Sequence, residues 1–284
     1  MNPPRRRLFT RRRFFAALAS GAALTGLYAW RVEPHWIEFV RRDLPIEHLP
    51  LALEGRTLVQ VSDLHCGPQV DDAYLIDTFR RIQALAPDIV VHTGDLVTVK
   101  KIATEERLRS LLSHFPHGRL GTAAVLGNHD YGWSWKYQKV AGLVVNAWQN
   151  AGVVMLRDAV VDMGGLQLVG LEELWSQRLY LRGALRQLDA GRAALALCHN
   201  PDVCDLPDWD GFRGWILAGH THGGQCRPPF LPPPILPVKN RRYTSGEFEL
   251  SGGRRLYINR GVGHLWRVRF NVRPEVTVFR LVQA

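Results

Sequence analysis

Short apolar runs alternate with amphipathic stretches along most of the chain after residue 57. Residues 71–85 carry apolar side chains at helical spacing and are followed by Pro87, which predicts a helix. The same criteria predict further helices at 105–115, 135–151 and 181–188. The apolar runs between them predict strands at 58–62, 89–91, 122–126, 153–156, 166–169, 193–197 and 215–218.

The pattern changes after residue 218, where helical spacing gives way to short β-like segments joined by glycine-rich turns. We predict strands within 241–250, 254–263 and 275–282. Strands that alternate with helices and are followed by a β-rich half indicate an α/β fold with a largely parallel sheet core. The proline-rich residues 228–237 predict a stiff loop and not a domain linker, because motif-like sequence lies on both sides of them.

The N-terminal segment contains an uncharged, largely apolar run at residues 14–30, preceded by a basic stretch. This layout is typical of a signal peptide or a membrane anchor. The run of 17 residues lies at the short end of the roughly 17–25 that span a bilayer, so cleavage and retention are both open. Residues 10–15 closely resemble a twin-arginine export signal, although Ala16 replaces the lysine often found next. The alternative is an ordinary basic flank of a membrane helix.

The chain divides into three parts on this basis. We predict a signal or anchor at 1–31, a connector with several prolines at 32–56, and one large domain at 57–284. Arginines before the apolar run predict that the N-terminus lies inside the cytoplasm and the large domain outside it. We therefore expect an exported, periplasmic or extracytoplasmic domain, with the membrane and the twin-arginine export machinery as partners.

The formal net charge of +10 is concentrated at the N-terminus. Residues 1–31 contain seven arginines and no acidic residue, so the other 253 residues carry only the remaining +3. A body with so small an excess of positive charge offers no clear electrostatic track for a polyanion. The charge distribution therefore argues against a nucleic-acid partner.

Side chains that can bind metal ions follow five of the predicted strands, at the point where each strand ends. They are Asp63 and His65, Asp95, Asn128 and His129, His199, and finally His220 and His222. One such motif alone is often only a turn, but ligands of open α/β sheets lie outside the carboxyl ends of the strands. Five strand ends together therefore predict a metal site. Its oxygen and imidazole ligands suit Mn²⁺, Fe or Zn²⁺. The lack of a thiolate among them argues against a sulfur-bound structural zinc site.

Five motifs of this chain resemble, in order and spacing, those of the calcineurin-like metallophosphoesterase superfamily: SDLH, GDL, GNHD, a histidine before Asn-Pro, and GHTHGGQ. The resemblance extends from about Leu58 to the C-terminus. It is greatest to an exported or membrane-attached bacterial branch, in which GHTHGGQ occurs with a proline-rich stretch and an NRGVG segment. The resemblance implies a layered αββα sandwich, in which two mixed β-sheets are flanked by helices.

The resemblance also implies roles for the metal-binding residues. Two divalent metal ions would be bound, for which we favour Mn²⁺ over Fe or Zn²⁺. The first ion would bind Asp63, His65 and His222. The second ion would bind Asn128, His199 and His220, and Asp95 would bridge the two ions.

Two further residues acquire roles from the same resemblance. His129 would steady the phosphate oxygens and protonate the leaving alkoxide. Asp130 would orient His129, as carboxylate partners of histidine do, or would simply cap the turn. Apart from the resemblance, we expect Asn259 and Arg260, within NRGVG, to contact the phosphate of the substrate.

The predicted function is hydrolysis of a phosphate ester, a diester in preference to a monoester, by a metal-bridging hydroxide. The substrate could be lipid-like, because the nine tryptophans could form an apolar rim as well as a core. One alternative is a UDP-2,3-diacylglucosamine-type lipid-precursor pyrophosphatase, but that substrate is cytoplasmic and the export signal argues against it. A catalytically silent, metal-stabilised binding scaffold is a second alternative, which the presence of every proposed ligand and of His129 disfavours.

Overall fold

Two six-stranded β-sheets form the centre of the protein, which a computed structural model describes over residues 10–98 and 105–284. In spatial order, the first sheet contains β1 (Glu38–Ile46), β12 (Glu275–Gln283), β2 (Thr57–Val61), β3 (Ile89–Thr93), β4 (Gly121–Val125) and β5 (Val154–Met155). The second contains β10 (Gly246–Glu249), β11 (Arg254–Ile258), β9 (Gly214–Ala218), β8 (Ala194–Leu197), β7 (Leu166–Gly170) and β6 (Ala159–Met163). Parallel pairs dominate both sheets, and the antiparallel pairs β12–β2, β10–β11 and β6–β7 make both of them mixed.

The interface between the two sheets is apolar. Because alternate side chains of a strand point to opposite faces, each strand supplies residues to this inner layer and to an outer one. The inner layer of the first sheet includes Leu58, Val91 and Val125, and that of the second includes Leu168, Leu195 and Leu217.

Helices cover the outer faces of both sheets. The first sheet carries α2 (Asp72–Gln83), α3 (Glu105–Leu112) and α4 (Gln138–Asn150), and the second carries α5 (Leu181–Leu185). The helical spacing noted between residues 71 and 85 accounts for the packing of α2, since Leu75, Phe79 and Ile82 are all buried against the first sheet. The predicted αββα sandwich of two mixed sheets is therefore confirmed.

Residues 32–56, which we predicted to be a connector, are instead part of the folded domain. Within them, β1 pairs in parallel with β12 over its whole length, from Glu38 opposite Glu275 to Ile46 opposite Gln283. Pro45 lies inside this strand, which is possible because β1 is an edge strand and can do without one backbone N–H. The prolines of this segment therefore did not mark a boundary, and the connector prediction was wrong.

The turn at Gly164 and Gly165 joins β7 to β6, a strand for which no segment was predicted. β6 pairs with β7 there, with Met163 opposite Leu166. The segment 153–156 contributes β5, which pairs with β4 in the first sheet.

The N-terminal helix α1 (Arg11–Leu27) buries none of its side chains. The chain that follows it enters the domain, where Ala29 and Glu33 are buried. The Ala29 carbonyl accepts a hydrogen bond from the Arg269 N–H at 2.9 Å, and Glu33 Oε1 accepts one from the Val272 N–H at 2.5 Å. Across residues 10–98 and 105–284, no helix combines the length and the hydropathy needed to cross a bilayer.

Candidate metal centre

The predicted metal-binding side chains come together at one edge, between the two sheets. Asp63, Asp95 and Asn128 follow β2, β3 and β4 of the first sheet, whereas His199 and His220 follow β8 and β9 of the second. All of them are buried. They meet because parallel strands end at the same edge of a sheet, and the corresponding edges of the two packed sheets lie together.

The backbone at this edge is unusual, because several metal-binding residues adopt left-handed conformations. The φ angle is positive, between 49° and 72°, at Asp63, His65, Asp95, His220 and His222. Each such conformation in a residue other than glycine costs on the order of 1–3 kcal/mol, and such residues cluster at functional sites. The folded chain holds them by short-range contacts, such as the hydrogen bond from the Asp63 N–H to the Gly94 carbonyl at 2.9 Å.

A first group of ligand atoms comes from Asp63, His65 and His222, and these atoms lie within 4.8 Å of one another. The Nε2 atoms of His65 and His222 are 3.0 Å apart. His222 Nε2 lies 3.2 Å from Asp63 Oδ1. Two imidazoles and one carboxylate therefore point at a common, buried position.

A second group comes from Asp95, His199 and His220, whose ligand atoms also lie within 4.8 Å of one another. His199 Nε2 is 3.2 Å from Asp95 Oδ2, 3.1 Å from His220 Nδ1 and 3.1 Å from Asn128 Oδ1. Asp95 Oδ2 is also 3.7 Å from His65 Nε2 in the first group. Asp95 therefore lies between the two groups, where a bridging carboxylate is needed.

Carbonyl groups orient two of the imidazoles. His199 Nδ1 donates to the Thr93 carbonyl at 2.8 Å, and His220 Nε2 donates to the Pro237 carbonyl at 2.8 Å. In the neutral form of each ring, this bond leaves the opposite ring nitrogen with a lone pair that faces the second group. The proline-rich loop thus helps to select the nitrogen that His220 presents.

The protonation states of most of these groups fit a metal site, which requires ionised carboxylates and neutral imidazoles. Burial lowers the pKa of His65 well below its ordinary value, and burial together with His199 lowers that of His220 to about 3. Burial opposes ionisation of Asp95, but His199 and His129 outweigh it and lower the pKa of this carboxyl. His199 is the exception, because Asp95 outweighs the effect of burial and raises its pKa.

Asp130 caps the turn, which was the second of the two expectations for it, and no hydrogen bond among the described residues joins it to His129. Its carboxylate is fully buried and faces backbone donors: Oδ2 accepts from the N–H groups of Asp95 at 3.0 Å and Gly127 at 2.9 Å, and Oδ1 accepts from Val97 at 3.1 Å. His129 Nδ1 is buried and has no hydrogen-bond partner among the described residues. Asp130 therefore joins the loops that follow β3 and β4, and adjacency in sequence was misleading.

His129 lies at the rim of the centre. Its ring centroid is 5.1 Å from that of His65, and its backbone N–H donates to Asp95 Oδ1 at 2.8 Å. Its side chain is only partly buried, in contrast to those of the metal-binding residues. This position is compatible with contact between His129 and a substrate.

Hydrogen bonds and ion pairs within the protein engage Asn259 and Arg260, which differs from the predicted contact of these side chains with the substrate phosphate. Asn259 Nδ2 donates to Thr277 at 2.8 Å and its Oδ1 accepts from the Gly261 N–H at 2.7 Å. The Arg260 guanidinium pairs with Glu38 at 2.9 Å and with Glu275. Both side chains are thus occupied in holding the NRGVG segment.

The NRGVG segment supports the centre through its backbone. The Gly263 N–H donates to the Asp63 carbonyl at 2.7 Å, and a Cβ at Gly263 would lie 2.2 Å from the Leu64 carbonyl oxygen. Arg269, which is fully buried, donates to the carbonyls of Arg260, Gly261 and Gly263 and lies 3.3 Å from His222 Nδ1. Arg269 belongs to no motif, so no pattern in the sequence indicated its role.

Gln60 is a second residue that the sequence analysis missed. Its Nε2 donates to Thr93 Oγ1 at 3.0 Å in the first sheet and to the Ala218 carbonyl at 2.9 Å in the second. It therefore links the two sheets beneath the centre. The available signal was a polar residue inside the otherwise apolar run of β2.

Two buried groups of carboxylate and imidazole ligands, joined by one aspartate at the carboxyl ends of parallel strands, form the kind of site that a two-metal hydrolase uses. A family model described as calcineurin-like phosphoesterase matches residues 56–224, and the chain belongs to this family. It is a metal-dependent phosphoric ester hydrolase, and its two groups serve two divalent metal ions.

Individual relatives cover nearly the whole chain. The metallophosphoesterase YkuE of Bacillus subtilis is 30% identical over 278 residues, which cover 94% of each chain. The phosphodiesterase YaeI of Escherichia coli is 30% identical over 284 residues, or 97% of this chain and 100% of that one. The UDP-2,3-diacylglucosamine pyrophosphatase LpxG of Chlamydia trachomatis is 26% identical over 314 residues, or 93% of this chain and 94% of that one.

Proposed function

We propose that this protein hydrolyses phosphodiesters with two Mn²⁺ ions as its cofactor. The observation that carries the proposal is the convergence of two buried groups of oxygen and imidazole ligands, with Asp95 between them and His129 at their rim. When bound, two divalent ions neutralise charge on the phosphoryl group and lower the pKa of the attacking water. Similarity to the phosphodiesterase YaeI supports a diester substrate, and the absence of a thiolate from both groups supports Mn²⁺.

The ligand assignment follows the distances within each group. The first ion is assigned to Asp63, His65 and His222. The second ion is assigned to Asn128, His199 and His220, and Asp95, which lies between the two groups, would hold both ions.

His129 is assigned to the phosphoryl group of the substrate. Its Nδ1 is buried, so the contact falls to Nε2. Burial lowers the pKa of His129 and favours the neutral ring, whose N–H can donate to a phosphoryl oxygen. Delivery of a proton to the leaving alkoxide is a second role of the same nitrogen.

The test is hydrolysis of a panel of diesters and monoesters by the full-length protein with added Mn²⁺. We expect Asp95→Asn and His129→Ala both to abolish turnover, while only Asp95→Asn loses metal, measured by elemental analysis. Asp43→Asn and His114→Ala, at exposed positions, are the matched controls and should behave as wild type. Full activity in either site variant would contradict the assignment, and equal metal loss in both would make His129 a ligand or a structural residue.

A second candidate substrate is UDP-2,3-diacylglucosamine, supported by the similarity to LpxG over almost the whole chain. This activity would cleave a pyrophosphate bond with the same metal centre. Adding this lipid to the substrate panel separates the two proposals, because a turnover of the lipid that exceeds that of every diester would favour the pyrophosphatase.

We further propose that the domain is exported by the twin-arginine machinery and works at the outer face of the membrane. The resemblance of residues 10–15 to the export signal and the lack of buried side chains in α1 support this location. A C-terminal reporter that is active only outside the cytoplasm should be active in the wild type and inactive after replacement of both Arg11 and Arg12 by lysine. Replacement of Arg5 and Arg6 by lysine is the matched control, and an active reporter in the Arg11/Arg12 variant would contradict the export route.

A further inference from the structure

A continuous row of rings crosses the mouth of the metal centre. The Trp135 ring centroid lies 4.8 Å from that of His129 and 6.1 Å from that of Trp175. The Trp175 ring centroid in turn lies 4.8 Å from that of His220. The two indoles therefore connect the residue assigned to the phosphoryl group with a ligand of the second ion.

The two indoles come from opposite halves of the fold. Trp135 follows β4 of the first sheet, and Trp175 follows β7 of the second. Both are only partly buried, whereas a tryptophan that served the core alone would be buried like Trp148. Each indole thus has apolar surface available to a molecule bound at the centre.

The backbone that carries Trp135 is strained. Ser134 and Trp135 have φ angles of 61° and 62°, which are rare for residues with a side chain. Hydrogen bonds from Trp135 N to the Gly132 carbonyl at 3.1 Å and from Tyr137 N to the Tyr131 carbonyl at 2.9 Å hold the turn closed. Strain of this kind gathers where a side chain must be presented at a functional site.

Trp175 is fixed by its own turn and borders a cavity. Its backbone N–H donates to the buried carboxylate of Glu173 at 3.1 Å. A cavity of about 480 Å³ beyond it is lined by Trp175, Leu174 and Leu206, with Lys239 and two aspartates at its polar side. This volume falls within the range of small-molecule sites.

We infer that Trp135 and Trp175 form an apolar wall that binds a bulky apolar substituent on the phosphate of the substrate. The inference rests on the proposed phosphodiesterase activity and adds the class of diester. A phosphoryl group held between the metal ions and His129 carries two ester groups, and the wall lies beside it. The group that contacts the indoles is removed from water, whereas a methyl ester covers little of this surface.

The test uses three diesters that share a p-nitrophenyl leaving group and differ only in the second ester group, which is methyl, cyclohexyl or phenyl. The wild type should show a higher kcat/KM for the phenyl and cyclohexyl esters than for the methyl ester, by about tenfold for each 1.4 kcal/mol of added contact. Trp135→Ala and Trp175→Ala should each reduce this preference strongly, because the phenyl and cyclohexyl esters should lose more kcat/KM than the methyl ester does. A phenyl-specific preference indicates ring stacking, and an equal preference for cyclohexyl indicates burial of apolar surface.

Matched variants distinguish the wall from a general disturbance of the site. Trp133→Ala removes a tryptophan from the same turn, but this side chain is 67% exposed and is the control, for which the preference should persist. Trp135→Phe and Trp175→Phe should restore much of the preference, because they keep an apolar ring. Retention of the full preference in both alanine variants would overturn the inference, as would an equal loss for all three esters.

Failure of the proposed phosphodiesterase activity can be distinguished from failure of the wall. If no diester is hydrolysed by the Mn²⁺-loaded wild type, the phosphodiesterase proposal fails. In that case the wall can still be tested by calorimetry, which measures the binding of diphenyl phosphate to the wild type and to Trp175→Ala. Weaker binding in the variant supports the wall, and equal binding overturns it.

Discussion

Replacement of Asp130 tests whether this carboxylate organises two loops or orients His129. Its two oxygens accept three backbone N–H groups, those of Asp95, Val97 and Gly127, in a fully buried position. A buried donor left without a partner costs about 1–3 kcal/mol, so Asp130→Ala should lose about 3 kcal/mol or more of the free energy of unfolding. That loss is a large fraction of the roughly 5–15 kcal/mol by which domains are stable.

Asp130→Asn should lose less, because its amide oxygen can still accept from two of the donors. His129→Ala should leave the free energy of unfolding almost unchanged, because the described residues offer its Nδ1 no hydrogen-bond partner. The assay is urea unfolding of chelator-treated protein, followed by tryptophan fluorescence, with kcat measured in parallel on the Mn²⁺-loaded variants. If Asp130→Asn unfolds at the wild-type midpoint and loses as much kcat as His129→Ala, the reasoning is refuted and Asp130 acts through the histidine.

Three further predictions concern the stability of the domain and of its metal centre. Asp88→Ala should lower stability by about 2 kcal/mol without loss of metal, because this buried carboxylate pairs with Thr57 and Arg119 at the far end of the strands. Burial opposes the ionisation of Asp88, but Thr57 and Arg119 outweigh this effect and lower its pKa. The stabilisation by ionised Asp88 should therefore be present above about pH 4 and be lost as the pH falls further, which urea midpoints measured at several pH values would show. Gly263→Ala should weaken metal binding in equilibrium dialysis, because its methyl group would lie 2.2 Å from the Leu64 carbonyl oxygen, whereas Gly252→Ala, with open space around it, should not. Deletion of residues 1–27 should preserve the thermal midpoint, and deletion of residues 1–36 should lower it, since only the latter removes the acceptors for the Arg269 and Val272 N–H groups.

The strand-end pattern predicted the position of the metal centre well, because strand direction and sheet topology decide where loops converge. A histidine that follows an apolar strand is carried to the carboxyl edge whatever its rotamer, as His199 and His220 show. The α/β alternation likewise predicted the helices and most strands, since burial imposes a period on each element.

Side-chain direction could not be read in the same way. Asp130 follows His129 in sequence, yet its carboxylate turns inward to backbone donors of another loop. Arg260 belongs to a motif-like segment, yet Glu38 and Glu275 occupy its guanidinium. These partners lie far away in sequence. Glu38 is on β1, which was not predicted because the prolines of residues 32–56 indicated a connector.

Both sheets contribute ligands to each of the two groups, and this division links metal binding to the stability of the whole sandwich. The first group combines Asp63 and His65 from the first sheet with His222 from the second. In the second group, Asp95 faces His199 and His220 across the same interface. An ion that binds only the folded state adds about 2.7 kcal/mol at one hundred times its Kd. Several of these residues are held in left-handed conformations, each of which costs on the order of 1–3 kcal/mol. Without bound ions, the apolar interface alone must compensate this strain. Ions that bind residues of both sheets would offset part of it.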